Sequence, residues 1–280
     1  MKYRLIVSDL DGTLASTKSI SKVNIDAIKR AYNQGVNLWI ATGRSPKNTK
    51  PIIDKLSFLG KDLKVICFNG AIAFSPFEKE IYHNVFFDSS IVEKIFHELN
   101  DLQLSAWSYV VNNLDEDKFG LTTNKKGMTT RFLAKHNNSK GVIYNNEKHK
   151  ELSSYKFIVS GKHHKIEEFK NRLQQQNIKC TFYGSSYVGI NKYRSCIEVS
   201  PENVNKTTPL KLLITKAKIS EKEIVSIGDG SNDVELLQFA GLGVAMGNAR
   251  KIAKNAADTS TSSFSKNGFA KIINQVILNK

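Results

Sequence analysis

The chain is 280 residues long, with 40% apolar and 24% charged residues, the proportions of an ordinary globular protein, which exclude global disorder and allow one or two domains. Its 41 basic and 26 acidic residues leave a formal charge of +15, but only seven of the basic residues are arginine, and base-edge readout leans on arginine forks. The excess is spread, with 16 basic and 11 acidic residues over 83–193 and 25 and 15 elsewhere, so it reads as a solvated lysine surface that attracts anionic small molecules; nucleic acid is not an expected partner.

No apolar run has the length of a membrane span, and "LIV" near the N-terminus is followed at once by Ser8 and Asp9, where a signal peptide needs a longer apolar stretch. A cytoplasmic protein with no membrane partner is expected. Three scattered cysteines, Cys67, Cys180 and Cys196, make neither a disulfide framework nor a zinc site. All six histidines fall between His83 and His164, so the rest of the chain does its chemistry without imidazole.

In chain order, the first third alternates strand and helix: strands over 4–8, 36–42 and 63–69, with a helix over 23–33 and another opened by Ser45-Pro46, an N-cap followed by proline at the first helical position. Near-continuous apolar strands between helices predict a parallel sheet buried on both faces. The last third resumes this grammar with a helix after Pro209, a strand over 223–230, a helix over 234–240, a short strand "GLGVAM" and two closing helices. Between them the pattern changes to an α+β grouping. It has an amphipathic helix with Ile91, Val92, Ile95, Phe96 and Leu99, a polar stretch over 134–154 expected as a mobile loop, an alternating strand "YKFIVSG", a helix with Ile166, Phe169 and Leu173, and short strands ending in "CIEVS". The predicted organisation is a discontinuous α/β core, 1–82 and 194–280, with an inserted α+β domain at 83–193.

The chemistry collects where strands end. "DLDGT" at 9–13 follows one strand and "GDGSND" at 228–233 another, so Asp9, Asp11, Asp229 and Asp233 converge at the carboxyl edge of the sheet, where open α/β sheets bind ligands. Two carboxylates ending an apolar strand are costly unless a cation compensates them. Carboxylates without histidine or thiolate favour a hard, oxygen-loving ion, Mg²⁺ above others. "ATGRS" puts Thr42 and the Gly43 amide at a helix N-terminus, which favours phosphate, and Lys206 stands just before the helix marked by Pro209.

These residues resemble the haloacid dehalogenase-like superfamily, specifically its Cof-type phosphatases with a type IIB cap. "DLDGTL", "ATGR", Lys206 and "GDGSNDVELL" stand in the family's order, and "AGLGVAMGNA" and "NGFAKII" are similar to its C-terminal core. The resemblance implies a Rossmann-like core with an inserted cap and a Mg²⁺-dependent phosphatase of small phosphorylated metabolites. It implies Asp9 as nucleophile, forming an aspartyl-phosphate, and Asp11 as acid and then base. Mg²⁺ would be held by the Asp9 carboxylate, the Asp11 carbonyl and Asp229, with Asp233 ordering the metal's water. Thr42, the Leu10 and Gly43 amides, Lys206 and Asn232 would hold the phosphate. Two alternatives stand beside this reading: a phosphotransferase or sugar phosphomutase using the same aspartates, and a basic nucleic-acid-binding protein that keeps the fold without activity. Neither the substrate nor the oligomeric state is readable from these residues.

Overall fold

The computed structural model describes residues 2–16, 19–111, 119–123, 127–184 and 194–278. The chain separates into two compact units, 1–84 with 205–280, and 85–204. The first begins with β1 (Leu5–Ser8), α1 (Lys22–Asn33), β2 (Asn37–Ala41), α2 (Pro46–Lys55) and β3 (Val65–Cys67). Ser21 and Ser45 cap the two helices by accepting the amides of Asn24 and Asn48, which satisfies donors that a first helical turn leaves without partners. Beyond β3 the chain reverses into β4 (Ile72–Ser75) and β5 (Glu80–Asn84), both antiparallel to their neighbours. This hairpin adds an edge that the parallel grammar of the sequence did not announce.

The insert contributes α3 (Ser89–Asp101), β6 (Ser105–Val110), β7 (Phe119–Thr122), α4 (Met128–Asn137), β8 (Lys140–Ile143), α5 (Asn146–His149), β9 (Ser154–Lys162), α6 (His163–Gln175), β10 (Cys180–Gly184) and β11 (Arg194–Pro201). The chain then returns to the first unit with α7 (Thr207–Ala217), β12 (Ile224–Gly228), α8 (Val234–Phe239), β13 (Leu242–Ala245), α9 (Lys251–Ala256), β14 (Thr259–Ser260) and α10 (Gly268–Ile273).

The first unit's sheet runs β14-β13-β12-β1-β2-β3-β4-β5, parallel from β14 to β3. Strand order grows one way from β1 through β2 and β3 and the other way from β12 through β13 and β14. The reversal therefore falls between β1 and β12, and a crevice opens beyond their carboxyl ends at such a point. Every residue of β1 and β12 is buried, as strands covered on both faces require. This is the predicted Rossmann-like α/β core.

The second unit is a sheet ordered β10-β11-β9-β6-β7-β8, antiparallel except for β7 with β8. One face carries Ala106, Val110, Phe157, Val159, Ile197 and Val199 into a core with Val92, Phe96 and Leu99 of α3 and Ile166, Phe169 and Leu173 of α6. The period of two in each strand and of about four in each helix puts these residues on one side.

Two expectations need correction. The polar stretch 134–154 is not a loop. It ends α4 at a left-handed Asn138 (φ 47°), pairs β8 with β7, and starts α5 on Asn145, whose side chain accepts the Lys148 amide. Asparagine tolerates both conformations through its own backbone hydrogen bonds. The core also resumes at 205 and not at 194, because β11 pairs along its whole length with β9 and β10 of the insert. The parts of the expected cap at 112–118, 124–126 and 185–193 lie outside the described residues. None of the three cysteines is in a disulfide, and no helix among the described residues is long and apolar enough to cross a membrane.

Candidate active site

The site grows from the ends of β1 and β12 and the start of α7, all in the first unit. Asp9 extends β1 by one residue, its amide donating to the Ile227 carbonyl at 2.9 Å. Asn205 caps α7 by accepting the amides of Thr207 at 2.9 Å and Thr208 at 2.8 Å, and Pro209 falls in the first turn, where no N–H is needed. Lys206 stands at that cap, fully buried, and its Nζ donates to Asp9 Oδ1 and to Asp233 Oδ1, both at 2.6 Å. The other oxygen of Asp233 accepts the amides of Asp229 at 3.0 Å and Gly230 at 2.8 Å, which locks the turn after β12. One carboxylate oxygen from each of Asp9, Asp229 and Asp233 lies within 4.8 Å of the others.

Three carboxylates thus face one ammonium. Burial, followed by the neighbouring Asp233 and Asp229, pushes Asp9 up to about 8 against the attraction of Lys206. Asp229 is pushed up to about 6, chiefly by burial and then by Asp233. Burial also works against the charge on Lys206, but Asp233 and Asp9 outweigh it and hold the ammonium above its ordinary range. Buried carboxylates with raised pKa values and too little positive charge beside them are the electrostatic signature of a cation site. The donors are all oxygen, with no imidazole or thiolate among them, which fits Mg²⁺.

A second group of loops borders this cluster. Thr42, at the end of β2, accepts the Arg44 amide on its hydroxyl at 3.2 Å and the Asn69 amide on its carbonyl at 3.0 Å. Asn69 Oδ1 accepts from Asn232 Nδ2 at 2.9 Å, so Thr42 and Asn232 are tied together through Asn69. The turn holding Asn69 is strained: Phe68 and Asn69 take φ values of 51° and 57° before Gly70 at 112°. A Cβ on Gly70 would stand 2.0 Å from the Asn205 carbonyl oxygen, so only glycine lets this turn pass the approach to Lys206.

A family model described as haloacid dehalogenase-like hydrolase matches residues 6–273. The chain belongs to this family. Among its relatives, the 5-amino-6-(5-phospho-D-ribitylamino)uracil phosphatase YcsE of Bacillus subtilis is 26% identical, the match covering 98% of this chain and 96% of that protein. Phosphatase YwpJ of the same organism is 25% identical over 98% of this chain and 100% of its own length. A crystal structure of a haloacid dehalogenase-like hydrolase from Bacteroides thetaiotaomicron superimposes with a TM-score of 0.82 at 27% identity, covering 98% of this chain and 100% of that one.

Within this haloacid dehalogenase-like fold, the structure brings Asp9, Asp229, Asp233 and Lys206 into one cluster, with Thr42 and Asn232 joined through Asn69 and Gly43 lying close against the Asn69 carboxamide. It does not bring the Asp11 carboxylate into the cluster. Arg44, 6% exposed, takes that carboxylate with two prongs, Nε on Oδ2 at 2.8 Å and Nη2 on Oδ1, and its Nη2 also donates to the Ser16 carbonyl at 3.1 Å. Arg44 thereby holds the Asp11 side chain. Leu10 turns the loop, its carbonyl accepting the amides of Thr13, Leu14 and Ala15.

Three further residues, to which the motifs assign no role, brace the site. Thr13 donates to Asp229 Oδ1 at 3.2 Å, and Asn248 donates to Asp229 Oδ2 at 3.2 Å and to the Gly12 carbonyl at 3.0 Å. Asn69 is the third. Each is a short polar residue just past a strand end, which is the available signal, but such residues also serve as ordinary turn formers.

Proposed function

We propose that this chain is a Mg²⁺-dependent phosphatase that hydrolyses small phosphorylated metabolites, such as sugar phosphates, through an aspartyl-phosphate on Asp9. The observation that carries the reading is the Lys206 ammonium held 2.6 Å from both Asp9 and Asp233 beside Asp229 at the carboxyl edge of the sheet. The relatives named as phosphatases support ester hydrolysis.

In this reading Asp9 attacks phosphorus in line, and its new O–P bond forms as the bond to the leaving oxygen breaks. Asp11 protonates that oxygen and then takes a proton from the water that cleaves the phosphoaspartate, releasing inorganic phosphate and restoring Asp9. To do so it exchanges one prong of Arg44 for the substrate. Lys206, Thr42, Asn232 and the amides of Leu10 and Gly43 hold the phosphate oxygens, stabilising charge that builds in the transition state.

An Asp9 oxygen, the Asp11 carbonyl and the Asp229 carboxylate would hold Mg²⁺. Both oxygens of Asp233 already accept hydrogen bonds, one from Lys206 and the other from two amides, which supports an orienting role for it over direct ligation. When bound, Mg²⁺ supplies the positive charge that keeps Asp9 ionised as a nucleophile and offsets the charge of the phosphate.

The test is phosphate release from p-nitrophenyl phosphate and from a panel of sugar phosphates, polyol phosphates of the kind the YcsE relative is named for, and nucleoside monophosphates. Release is expected with Mg²⁺ and lost in EDTA and in Asp9→Asn. Turnover unchanged in that variant, or isomerisation of sugar bisphosphates without phosphate release, overturns the reading.

A further inference from the structure

Asn248 touches the cluster from a part of the chain that no catalytic role reaches. It lies three residues beyond β13, whose register sets Ala245 beside Gly228, so the loop after β13 passes the loop after β12. The Met246 amide donates to the Gly228 carbonyl at 3.0 Å and the Arg250 amide to the Asp229 carbonyl at 2.9 Å, which fastens 246–250 along the Asp229 turn. From that position the Asn248 carboxamide makes three bonds. Its Nδ2 donates to Asp229 Oδ2 at 3.2 Å and to the Gly12 carbonyl at 3.0 Å, and its Oδ1 accepts the Phe264 amide at 2.7 Å.

These bonds use the group's two ends differently. The Phe264 amide requires an acceptor on its side, so it fixes which end of the carboxamide points at Asp229. The two Nδ2 protons then join a carboxylate at the end of β12 to the backbone between Asp11 and Thr13. Asp229 is held from both sides, since Thr13 Oγ1 donates to its other oxygen at 3.2 Å. The approach is close. Gly12 has a φ of +79°, and a Cβ there would stand 2.7 Å from Asp229 Oδ2 and 3.3 Å from Asn248 Nδ2, so the loop carries glycine where the clamp needs room.

We propose that Asn248 is a positioning residue for the divalent cation. It clamps the Asp229 carboxylate to the loop that carries Asp9 and Asp11, so the segment from 246 to 264 sets how tightly the site binds Mg²⁺. The inference rests on the metal reading given above. Donors behind a metal-binding carboxylate fix its orientation, and losing one typically costs 10- to 100-fold in metal affinity. Asn248 is itself exposed, so its removal leaves no cavity in the core.

The test is Mg²⁺ binding to the whole protein by isothermal titration calorimetry, with Mg²⁺ as the only ligand, on the wild type, Asn248→Ala and Asn248→Asp. Asn248→Ala is expected to raise the Mg²⁺ Kd by about tenfold or more, while circular dichroism and the thermal midpoint in EDTA stay at wild-type values. Asn248→Asp keeps the shape and the acceptor for the Phe264 amide but turns an acceptor toward Asp229, and is expected to weaken binding further. Wild-type binding with both variants within twofold of it overturns the positioning role and leaves the metal reading standing. No binding by the wild type overturns the metal reading and this inference with it.

Discussion

Each unit buries a lysine against carboxylate, and the two arrangements differ in stoichiometry. In the first unit, Lys206 meets Asp9 and Asp233 at 2.6 Å, with Asp229 completing a group of three carboxylates. In the second, the buried lysine ion pair among the described residues is Lys156 on β9 with Glu198 on β11 at 2.7 Å, with the ammonium also over the Tyr109 ring. A pair of opposite charges leaves no net charge behind, whatever its desolvation costs, and so has no electrostatic need for a further ion. An unmatched group keeps such a need, and that turns a buried charge from a structural element into a binding site.

The sharpest break of this comparison comes from the proposed nucleophile. Asp9→Asn is expected to lower phosphate release at least about 10³-fold, as loss of a covalent nucleophile does, with the fold intact by circular dichroism. Next comes Lys206→Met, expected to cost about 10²–10³ in turnover, the scale for removing one donor to a developing anion. Lys156→Met is expected to show the structural counterpart: about 3–5 kcal/mol lost in urea unfolding because Glu198 is left buried without its cation, with most of it regained in Lys156→Met/Glu198→Leu. If the double variant stays as unstable as the single one, the matched-pair account of the second unit fails.

A fourth expectation concerns pH. Asp9 at about 8 and Asp229 at about 6 stand above their ordinary carboxylate value of 3.8. Their protonated forms therefore favour the folded state, and this contribution is complete below that ordinary value and lost as pH rises through 6 to 8. The metal-free protein should melt at a lower temperature at pH 8 than at pH 5. Mg²⁺ competes with those protons, so its stabilising shift should be larger at pH 8. Thermal melts in EDTA and in Mg²⁺ at the two pH values check this, and equal shifts would count against a carboxylate cation site. Smallest of all is Lys50→Ala. Its pair with Asp54 is exposed on both sides, at 62% and 58%, and should contribute less than about 0.5 kcal/mol to unfolding.

Much of the first unit was legible because its signals are local. Ser21 and Ser45 cap helices in the structure, and Asp9, Thr42 and Asp229 fall just past β1, β2 and β12. The insert was less legible, because its strands are set by long-range pairing. β8 is a half-exposed strand of "KGVI" that exists by pairing with β7, and no run of apolar residues marks it. β11 resembles a core strand in composition, and only its register against β9 and β10 assigns it to the second unit.

The same division runs through the site. By itself the sequence determined the inventory: two acidic strand ends, a lysine before a helix, a Thr-Gly turn, and an oxygen-only donor set that selects a hard cation. Those follow from residue type and short-range order, which a chain carries whether or not it is folded. The tertiary structure decided which of these charges meet. Lys206 reaches Asp9 across 197 positions because β1 and β12 are adjacent in the sheet. Asp11, two residues from Asp9, is drawn aside by Arg44, and Asn248 arrives from beyond β13 to brace Asp229. The energy of a buried charge depends on the partners that folding brings within a few ångströms, and spacing along the chain does not encode that distance.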